Sequence, residues 1–285
     1  MPIKDRQGQV VSWVGTGTDI EEQKRIQAEL YESELRKDAF LAMASHELKT
    51  PITSLKVYTQ ILHKMFVQEG NIQVKQVIQY LSKMETQINK LMKLIADLLD
   101  ISKIQAEKLA FVEEEFDVAA FTHDLIDMIQ QMNSRHTITL NCSVAVKLVG
   151  DKDRLGQVLI NLLTNAIKYS PVASIIEVIV TTEHDQVIFS VRDYGIGIPK
   201  EAQAKIFERF YRVYDDKDKK FPGLGIGLYI ASEVVQRHGG SIWLESWEGE
   251  GSTFFFSIPI PKIQDKRTLV GSRKGDTYEE ENTGC

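Results

Sequence analysis

Apolar residues follow a seven-residue repeat along the first third of the chain. Between positions 72 and 104 the steps alternate between three and four, and the repeat is carried by Val74, Val77, Leu81, Met84, Ile88, Leu91, Ile95 and Leu98. Such a seam is typical of helices packed in a bundle or coiled coil, because an ordinary amphipathic helix drifts towards about 3.6 residues per turn. The pattern therefore predicts a helix over about 72–104 that packs against other helices.

A first helix with the same repeat is predicted from Ile20 to about Phe66, and the segment QEGNIQ predicts the turn between the two. Its seam consists of Leu41, Ala44, Leu48, Pro51, Leu55, Tyr58, Leu62 and Met65. In this register His46 falls opposite the seam, so we expect it to face solvent. Glu47 lies beside it, and Thr50 lies one turn further along on the same face.

Beyond residue 115 the repeat gives way to short β-like runs that alternate with helical patterns. The β-like runs are TITLNCSV, IIEVIVTT, QVIFSVRD, SIWLESW and STFFFSIPI, and the helical ones are VAAFTHDLIDMIQQM, DRLGQVLINLLTNAI and GIGLYIASEVVQRH. This spacing favours an α/β sandwich with helices on one face of a sheet. The predicted fold class is α+β and multidomain, a helical hairpin followed by an α/β-sandwich domain.

The two ends of the chain differ from this body. Near the start, Val10, Val11, Trp13 and Val14 form a β-like run, which we expect to be a lone strand remaining from a domain whose main body is missing. The segment from Lys262 onward is polar and turn-rich and is predicted to be disordered.

Composition narrows the class of protein. With 285 residues, of which 43% are hydrophobic, the chain has the length of about two domains. A net charge of -6 argues against a nucleic-acid partner, and two cysteines favour a reducing, cytoplasmic compartment over a disulfide framework. Because no apolar run approaches the roughly 18 residues of a membrane helix, we expect no membrane contact in this part of the protein, although a longer parent could be anchored.

Three segments carry candidate nucleotide chemistry. In DRLGQVLINLLTNAIKYSP, Asn161, Asn165 and Lys168 recur at i, i+4 and i+7 on a face away from the apolar one. An amide oxygen is a suitable ligand for Mg²⁺, and the lysine can neutralise phosphate. Taken alone, the same residues would equally be ordinary polar groups on a helix surface.

The other two segments are rich in glycine. In VRDYGIGIP, the carboxylate of Asp193 can accept a hydrogen bond from an amine such as that of adenine, and Gly195 and Gly197 allow close backbone approach. In FPGLGIGLYI, glycines lead into a helix whose N-terminus suits a polyphosphate. Each pattern alone is also compatible with a plain turn. Likewise, the charged run VYDDKDKKFP is compatible either with a mobile lid or with a solvated loop.

The segment IFERFYRV has two interpretations. Either Arg209 or Arg212 reaches a phosphate, or the segment is a short core-facing helix.

Together these segments resemble the motifs of sensor histidine kinases of two-component systems, in the same order and spacing. FLAMASHELKTPITSL resembles the H box, NLLTNAIKYSP the N box, DYGIGIP and GLGIGL the two glycine boxes, and IFERFYRV the F box. The resemblance covers about 34–261. More weakly, GTGTDIEEQK resembles the last strand and exit helix of a PAS sensor domain.

The resemblance implies a role for each matching residue. His46 is the implied phosphoacceptor, Glu47 its acid–base partner, and Thr50 the residue that supports dephosphorylation of a response regulator. For Mg²⁺ and ATP the resemblance implies Asn161 as the metal ligand, Asn165 and Lys168 as phosphate-side contacts, and Tyr169 near the nucleotide. Asp193 is the implied residue that recognises adenine, in a loop with Gly195 and Gly197. The implied phosphate-facing helix start consists of Gly223, Leu224, Gly225 and Gly227.

It also implies an organisation and partners. The expected units are a PAS-like remnant at 1–19, a coiled-coil linker at 20–36, a dimerisation and phosphotransfer domain at 37–108, an ATP-binding domain at 114–261 and a tail at 262–285. The hairpin would form a four-helix bundle in a homodimer, and the second partner would be the receiver domain of a response regulator. Two rival hypotheses remain: an ATPase clamp of the topoisomerase, mismatch-repair and chaperone kind, and a dimeric scaffold that binds nucleotide without transferring phosphate.

Overall fold

The computed structural model describes residues 2–13, 20–68, 74–106, 108, 110–213 and 224–261. Almost all of the predicted turn QEGNIQ and of the charged run VYDDKDKKFP lies outside these residues, as do Gly223 and the segment from Lys262 onward.

The chain begins with a small β-hairpin. Strand β1 (Pro2–Lys4) pairs antiparallel with β2 (Val10–Trp13). The prediction that the run at Val10 would be a lone strand is therefore wrong. Its partner is only three residues long and contains a single large apolar side chain, Ile3, so no apolar pattern indicated a strand there.

Two long helices follow, as predicted. Helix α1 spans Glu21–Gln68 and continues through Pro51, and helix α2 spans Val74–Gln105. On α1 the seam positions Ala44, Pro51 and Met65 are buried, whereas Leu41 is 52% exposed and its neighbour Phe40 is buried instead. Phe40 lies outside the predicted seam and is buried because its ring packs on Phe210 of the α/β domain.

In helix α2, every second position of the heptad seam packs against α1 of the same chain. Val77, Met84, Leu91 and Leu98 are half-buried against α1. The alternate seam positions, again seven residues apart, are exposed: Val74, Leu81, Ile88 and Ile95. The hairpin thus presents an unpaired apolar stripe along its length. None of the described helices combines the length and the apolar character needed to cross a membrane.

The α/β domain contains eleven further elements, in the mixed order that the sequence predicts. They are β3 (Glu114–Asp117), α3 (Val118–Met132), β4 (Thr137–Cys142), β5 (Lys147–Gly150), α4 (Lys152–Tyr169), β6 (Ile175–Glu183), β7 (Gln186–Asp193), α5 (Lys200–Gln203), α6 (Gly227–Arg237), β8 (Ser241–Trp247) and β9 (Gly251–Pro259). Five strands form one sheet in the order β4-β6-β7-β9-β8, parallel only between β4 and β6, and β3 pairs with β5 apart from it.

Helices α3, α4 and α6 pack against this sheet and enclose the main core. Phe189 of β7 and Phe256 of β9 stack with ring centroids 4.5 Å apart, beneath the fully buried Leu159 and Leu162 of α4. Two aspartates fix the helix starts: Asp117 accepts from Ala120 N at the start of α3, and Asp151 plays the same part for α4. In β6 and β7 the buried apolar side chains alternate with more exposed ones and face the helices. Asp193 is the last residue of β7 and lies at the end of this inward-facing row.

The segment IFERFYRV departs from the helical alternative considered for it. Residues 204–210 form turns, and Phe210 adopts a left-handed backbone conformation, with φ of 67°. Its ring stacks on Phe40 of α1, with centroids 4.0 Å apart. Burial of this aromatic pair offsets the backbone strain of a non-glycine residue at positive φ.

Candidate active site

A cavity of about 350 Å³ lies between helix α2 and the α/β domain. Its walls come from the inner face of α4, the end of β7, the turns before residue 213 and the start of α6. Among the residues marked by the sequence, those that line it are Glu47, Asn161, Asn165, Lys168, Tyr169, Asp193, Gly197, Arg212, Leu224, Gly225 and Gly227. One cavity thus brings together residues from segments as far apart as 47 and 227.

Asp193 forms the floor at one end of the cavity. It is 4% exposed, and its Oδ1 accepts a hydrogen bond of 2.9 Å from the backbone N–H of Gly195. Burial raises the pKa of Asp193 to about 6, although the backbone hydrogen bonds from Gly195 and Ser252 act in the opposite direction. A buried carboxylate with unused acceptor capacity is suited to an amine donor such as that of adenine.

The glycines beside it are required by close backbone packing. A Cβ on Gly195 would lie 2.2 Å from the carbonyl oxygen of Tyr169, and one on Gly197 would lie 2.0 Å from that of Trp247. Gly197 also has a φ of 66°, which favours glycine. The two glycines thus let the loop after β7 pack closely against the end of α4 at Tyr169 and the end of β8 at Trp247.

The start of α6 closes the opposite side. Leu224 is buried, Gly225 has a φ of 69°, and Gly227 begins the helix. A Cβ on Gly227 would lie 2.5 Å from Asn161 Oδ1, so only glycine lets the asparagine amide approach the helix start. The free N–H groups at such a helix start are suited to phosphate oxygens.

Asn161 carries an unsatisfied polar atom at this place. Its Nδ2 is buried and has no hydrogen-bond partner among the residues that the structure describes. Because the oxygen and nitrogen of an amide are assigned rather than distinguished, either atom could face the cavity. A buried amide without a partner fits a residue that completes its contacts with a phosphate-bound cation.

Lys168 and Tyr169 form the end of α4 that faces the cavity. Lys168 Nζ donates to Tyr169 Oη at 3.0 Å. Burial, with the positive charge of Arg212 nearby, lowers the pKa of Lys168 to about 8, while the carboxylate of Glu47 partly offsets this. Lys168 is therefore mostly protonated near pH 7, and a bound anion would stabilise its charged form.

The H-box residues point in different directions. His46 is exposed and lies outside the cavity lining, and Thr50 is exposed one turn further along, its hydroxyl donating to the His46 carbonyl at 3.0 Å. Glu47 turns the other way, into the cavity, where its Oε2 is buried 3.0 Å from Lys90 Nζ. The structure thus brings Glu47, but not His46, to the nucleotide residues.

Contacts between the hairpin and the α/β domain hold the cavity closed on this side. Along α1, Arg36 pairs with Glu208 at 2.5 Å, Phe40 stacks on Phe210, and Met43 Sδ accepts from Arg212 Nη1 at 3.1 Å. The positions 36, 40 and 43 share one face of the helix. The F-box segment therefore contacts α1 immediately before His46.

A second set of contacts joins α2 to α4. Asp100, which is 6% exposed, accepts from Arg154 Nη1 at 2.7 Å and from Gln157 Nε2 at 3.1 Å. Arg154 also donates to Gln157 Oε1 at 2.9 Å, which closes the three-residue cluster. The ion pair joins a buried carboxylate to a half-buried guanidinium across the boundary between two domains.

Sequence reasoning did not find the contribution of α2 to the cavity. Lys90, Lys93, Leu94 and Asp97 line it, and burial raises the pKa of Asp97 to about 6. The sequence shows the charged residues among them only as charged positions within a helix that has a heptad pattern. Charged side chains that simply face solvent give the same pattern, so nothing distinguished these as cavity residues.

Comparisons with known proteins agree with this architecture. A family model described as "His Kinase A (phospho-acceptor) domain" matches residues 36–107, and one described as "Histidine kinase-, DNA gyrase B-, and HSP90-like ATPase" matches residues 150–262. The chain is 33% identical over 270 residues to sensor histidine kinase WalK of Bacillus subtilis strain 168, and 32% identical over 269 residues to sensor protein kinase WalK of Staphylococcus aureus. The chain belongs to the sensor histidine kinases.

These relatives are longer proteins. The matches include 92% of this chain but only 42% of the Bacillus subtilis protein and 61% of the Staphylococcus aureus sequence. Among solved structures, the Acinetobacter baumannii histidine kinase AdeS superposes with a TM-score of 0.56 at 24% identity, covering 75% of this chain and 98% of that one. That likeness supports the fold, the long helical hairpin followed by an α/β ATP-binding domain.

Proposed function

We propose that the chain catalyses ATP-dependent phosphorylation of its own His46 and then transfers the phosphoryl group to an aspartate in the receiver domain of a response regulator. The observation that carries the proposal is the composition of the cavity. Glu47, the residue next to His46, lines the same space as Asn161, Lys168 and Asp193 on the other domain. A cavity shared by the two domains is suited to a reaction between a nucleotide on one and a side chain on the other.

The chemistry assigned to these residues is an in-line displacement. An unprotonated imidazole nitrogen of His46 attacks the γ-phosphorus, the bond to the β,γ-bridging oxygen breaks, and ADP leaves. Glu47 accepts the proton from the other ring nitrogen, which stabilises the imidazolium that forms during the attack. Because His46 lies outside the cavity, the attack requires a movement of the ATP domain relative to α1, with bending expected in the linker around 106–115.

The nucleotide contacts follow from the two ends of the cavity. Asp193 with Gly195 and Gly197 would hold the adenine, and Tyr169 would lie beside it. Phosphates would meet Asn165, Lys168 and the α6 start at 224–227, where Gly223 lies just outside the described residues. Asn161 would hold Mg²⁺, which neutralises phosphate charge when bound, and no group of three or more His, Cys, Asp or Glu side chains in the described ranges offers an alternative cage.

The exposed stripe on α2 supports a homodimer. Apolar side chains seven residues apart match the requirement of a second hairpin, which would complete a four-helix bundle. In this proposal 37–108 is the dimerisation and phosphotransfer domain, 114–261 the ATP domain, 20–36 a signalling linker and 1–19 the remnant of a PAS-like sensor. We infer the same cytoplasmic location for both catalytic domains.

A phosphatase activity towards the response regulator is the second part of the proposal. Thr50 and His46 share the solvent-facing side of α1, where a receiver domain could contact both. Thr50 already donates its proton to the His46 carbonyl, which leaves the hydroxyl oxygen as an acceptor for an attacking water.

Labelling with γ-³²P ATP and Mg²⁺ tests the proposal. Wild type should acquire acid-labile, base-stable label, His46→Gln should acquire none, and His63→Gln, an exposed histidine on the same helix, should label normally. Release of free phosphate without labelled protein would instead identify an ATPase clamp. Nucleotide binding with neither outcome would identify a scaffold.

A further inference from the structure

Lys90 is a charged residue of α2 to which the reaction described above gives no role. Its Nζ lies 3.0 Å from Glu47 Oε2, and it lines the nucleotide cavity together with that carboxylate. Glu47 Oε2 is buried, but its contact with Lys90 is an ion pair without hydrogen-bond geometry, and no other described residue donates to it. The proposed acid–base residue is therefore held by a lysine across the hairpin.

The pair lies at the phosphate end of the cavity. Four cationic side chains line the cavity: Lys90, Lys93, Lys168 and Arg212. The charges of Arg212, Glu47 and Lys93 all act on the pKa of Lys168, which places these groups close to one another and to the phosphate-side contacts. Asp193, by contrast, marks the adenine end.

A γ-phosphate would compete with Glu47 for this lysine. The phosphate brings more negative charge than a carboxylate and several strong acceptor oxygens. Lys90 is also partly exposed, with 39% of its side chain accessible, so its pairing with Glu47 is weak and readily exchanged. The flexible four-carbon side chain allows the ammonium to change partners without a movement of α2.

We propose that Lys90 is a substrate-binding residue whose ammonium moves from Glu47 to the γ-phosphate of ATP, and that this movement releases Glu47 to act on His46. The inference rests on the proposed function, since it deepens the role of the same cavity. No covalent bond changes in this step: one ion pair is replaced by another. ADP, which lacks the γ-phosphate, leaves Lys90 on Glu47.

Binding of two nucleotides separates this role from a structural one. We would measure the Kd of ADP and of the β,γ-imido analogue of ATP, both with Mg²⁺, for wild type, Lys90→Met and Lys90→Arg. Lys90→Met should weaken the analogue about tenfold, the effect of losing one charge-assisted hydrogen bond, and should leave ADP within about twofold. Lys90→Arg should restore most of the preference, and Lys75→Met, an exposed lysine in the first turn of α2, should change neither.

A double-mutant cycle tests the exchange itself. Glu47→Gln removes the competitor for Lys90, so it should strengthen binding of the analogue about threefold relative to ADP. In the Lys90→Met background the same change should have no effect on that ratio. An equal loss for both nucleotides in Lys90→Met, or an effect of Glu47→Gln that persists without Lys90, would overturn the proposal.

These measurements do not depend on phosphate transfer. If wild type fails to label His46 but Lys90→Met still weakens the analogue much more than ADP, the proposed function fails and the assignment of Lys90 as a γ-phosphate contact stands. If labelling occurs but Lys90→Met changes the affinities for the analogue and for ADP by the same factor, only the inference about Lys90 fails. ADP binding by each variant also shows that its ATP domain is folded.

Discussion

At the scale of single residues, the site depends on groups whose charge is set by burial. Asp193 at one end and Lys168 at the other have pKa values moved towards neutrality, to about 6 and about 8, and in both cases loss of solvent is the largest cause. Both side chains are mostly charged near pH 7, but burial has removed most of the water that would stabilise those charges. In the proposed function a bound nucleotide would supply the missing partners, so we expect both side chains to favour the bound state.

This gives a pH prediction for Asp193. Adenine recognition needs the carboxylate, so affinity should be present above about pH 6 and should fall as pH drops through that value. Binding of adenosine, which has no phosphate to titrate, should weaken about tenfold between pH 7.5 and 5. In Asp193→Asn it should be weaker at pH 7.5 and nearly independent of pH over this range, as NMR titration would show.

The contribution of Asp193 to folding stability depends on pH in the opposite direction to its effect on adenosine affinity. The folded-state pKa of Asp193 is raised above its ordinary value, so the protonated form favours the folded state below about pH 3.8, and that contribution is lost as pH rises through about 6. Asp193 thus lowers the free energy of unfolding in the pH range where we propose that it binds adenine. A pH dependence of adenosine affinity that survives in Asp193→Asn would contradict the assignment.

At the scale of elements, the cluster of buried Asp100 with half-buried Arg154 and Gln157 connects α2 to α4. Arg154→Met would leave a buried carboxylate without its cation, which in a fixed interior costs about 3–5 kcal/mol. Since the two helices belong to different domains, separation of the domains returns Asp100 to water and avoids most of that cost. We therefore expect Arg154→Met to undock the ATP domain rather than unfold it.

Hydrogen exchange checks this expectation. Amides of α2 around Asp100 should exchange at least tenfold faster in Arg154→Met, while those of the central strand β7 should be unchanged. Arg135→Met, an exposed arginine of the same domain, is the matched control. Combining Arg154→Met with Asp100→Leu should restore protection, because an apolar pair removes the unpaired charge. Uniformly faster exchange in β7 would show unfolding instead.

The elements themselves were largely predictable from the sequence. Heptads gave both long helices, and alternating apolar runs gave all five strands of the main sheet, because burial on one face imposes a period on the chain. The four-residue strands β3 and β5 were missed, since so short a run carries no period. The left-handed Phe210 was missed as well, because only its stacking on a distant helix stabilises that conformation.

Prediction of the site had the same limit. Motifs marked the residues of α4, β7 and α6, whose geometry is set within one domain. Lys90 and Asp97 reach the cavity only because α2 docks there, and no local pattern encodes that docking. Likewise, the register predicted that His46 faces solvent, but not that Glu47 turns towards the nucleotide residues.

At the scale of the whole molecule, the exposed stripe of α2 is the surface to which we assign the proposed homodimer. Ile88→Glu with Ile95→Glu places two charges on the predicted dimer face, so the variant should be a monomer by light scattering at micromolar concentration. Its ADP affinity should stay within about twofold of wild type, since both residues lie outside the cavity lining. Val172→Glu, at a side chain that is 97% exposed on the ATP domain, should leave the assembly unchanged. A dimeric double variant would place the interface elsewhere.

The contacts of α1 with the ATP domain have a rotational consequence. Arg36, Phe40, Met43 and Glu47 succeed one another at steps of four, three and four, so they form a nearly straight line along the helix. His46 projects about 100° around the helix axis from that line. Turning the imidazole towards the cavity therefore turns Phe40 away from Phe210. The contacts that hold the ATP domain against α1 also keep His46, the proposed phosphoacceptor, outside the cavity, so a stimulus that twists α1 would release the domain and present the histidine in a single motion.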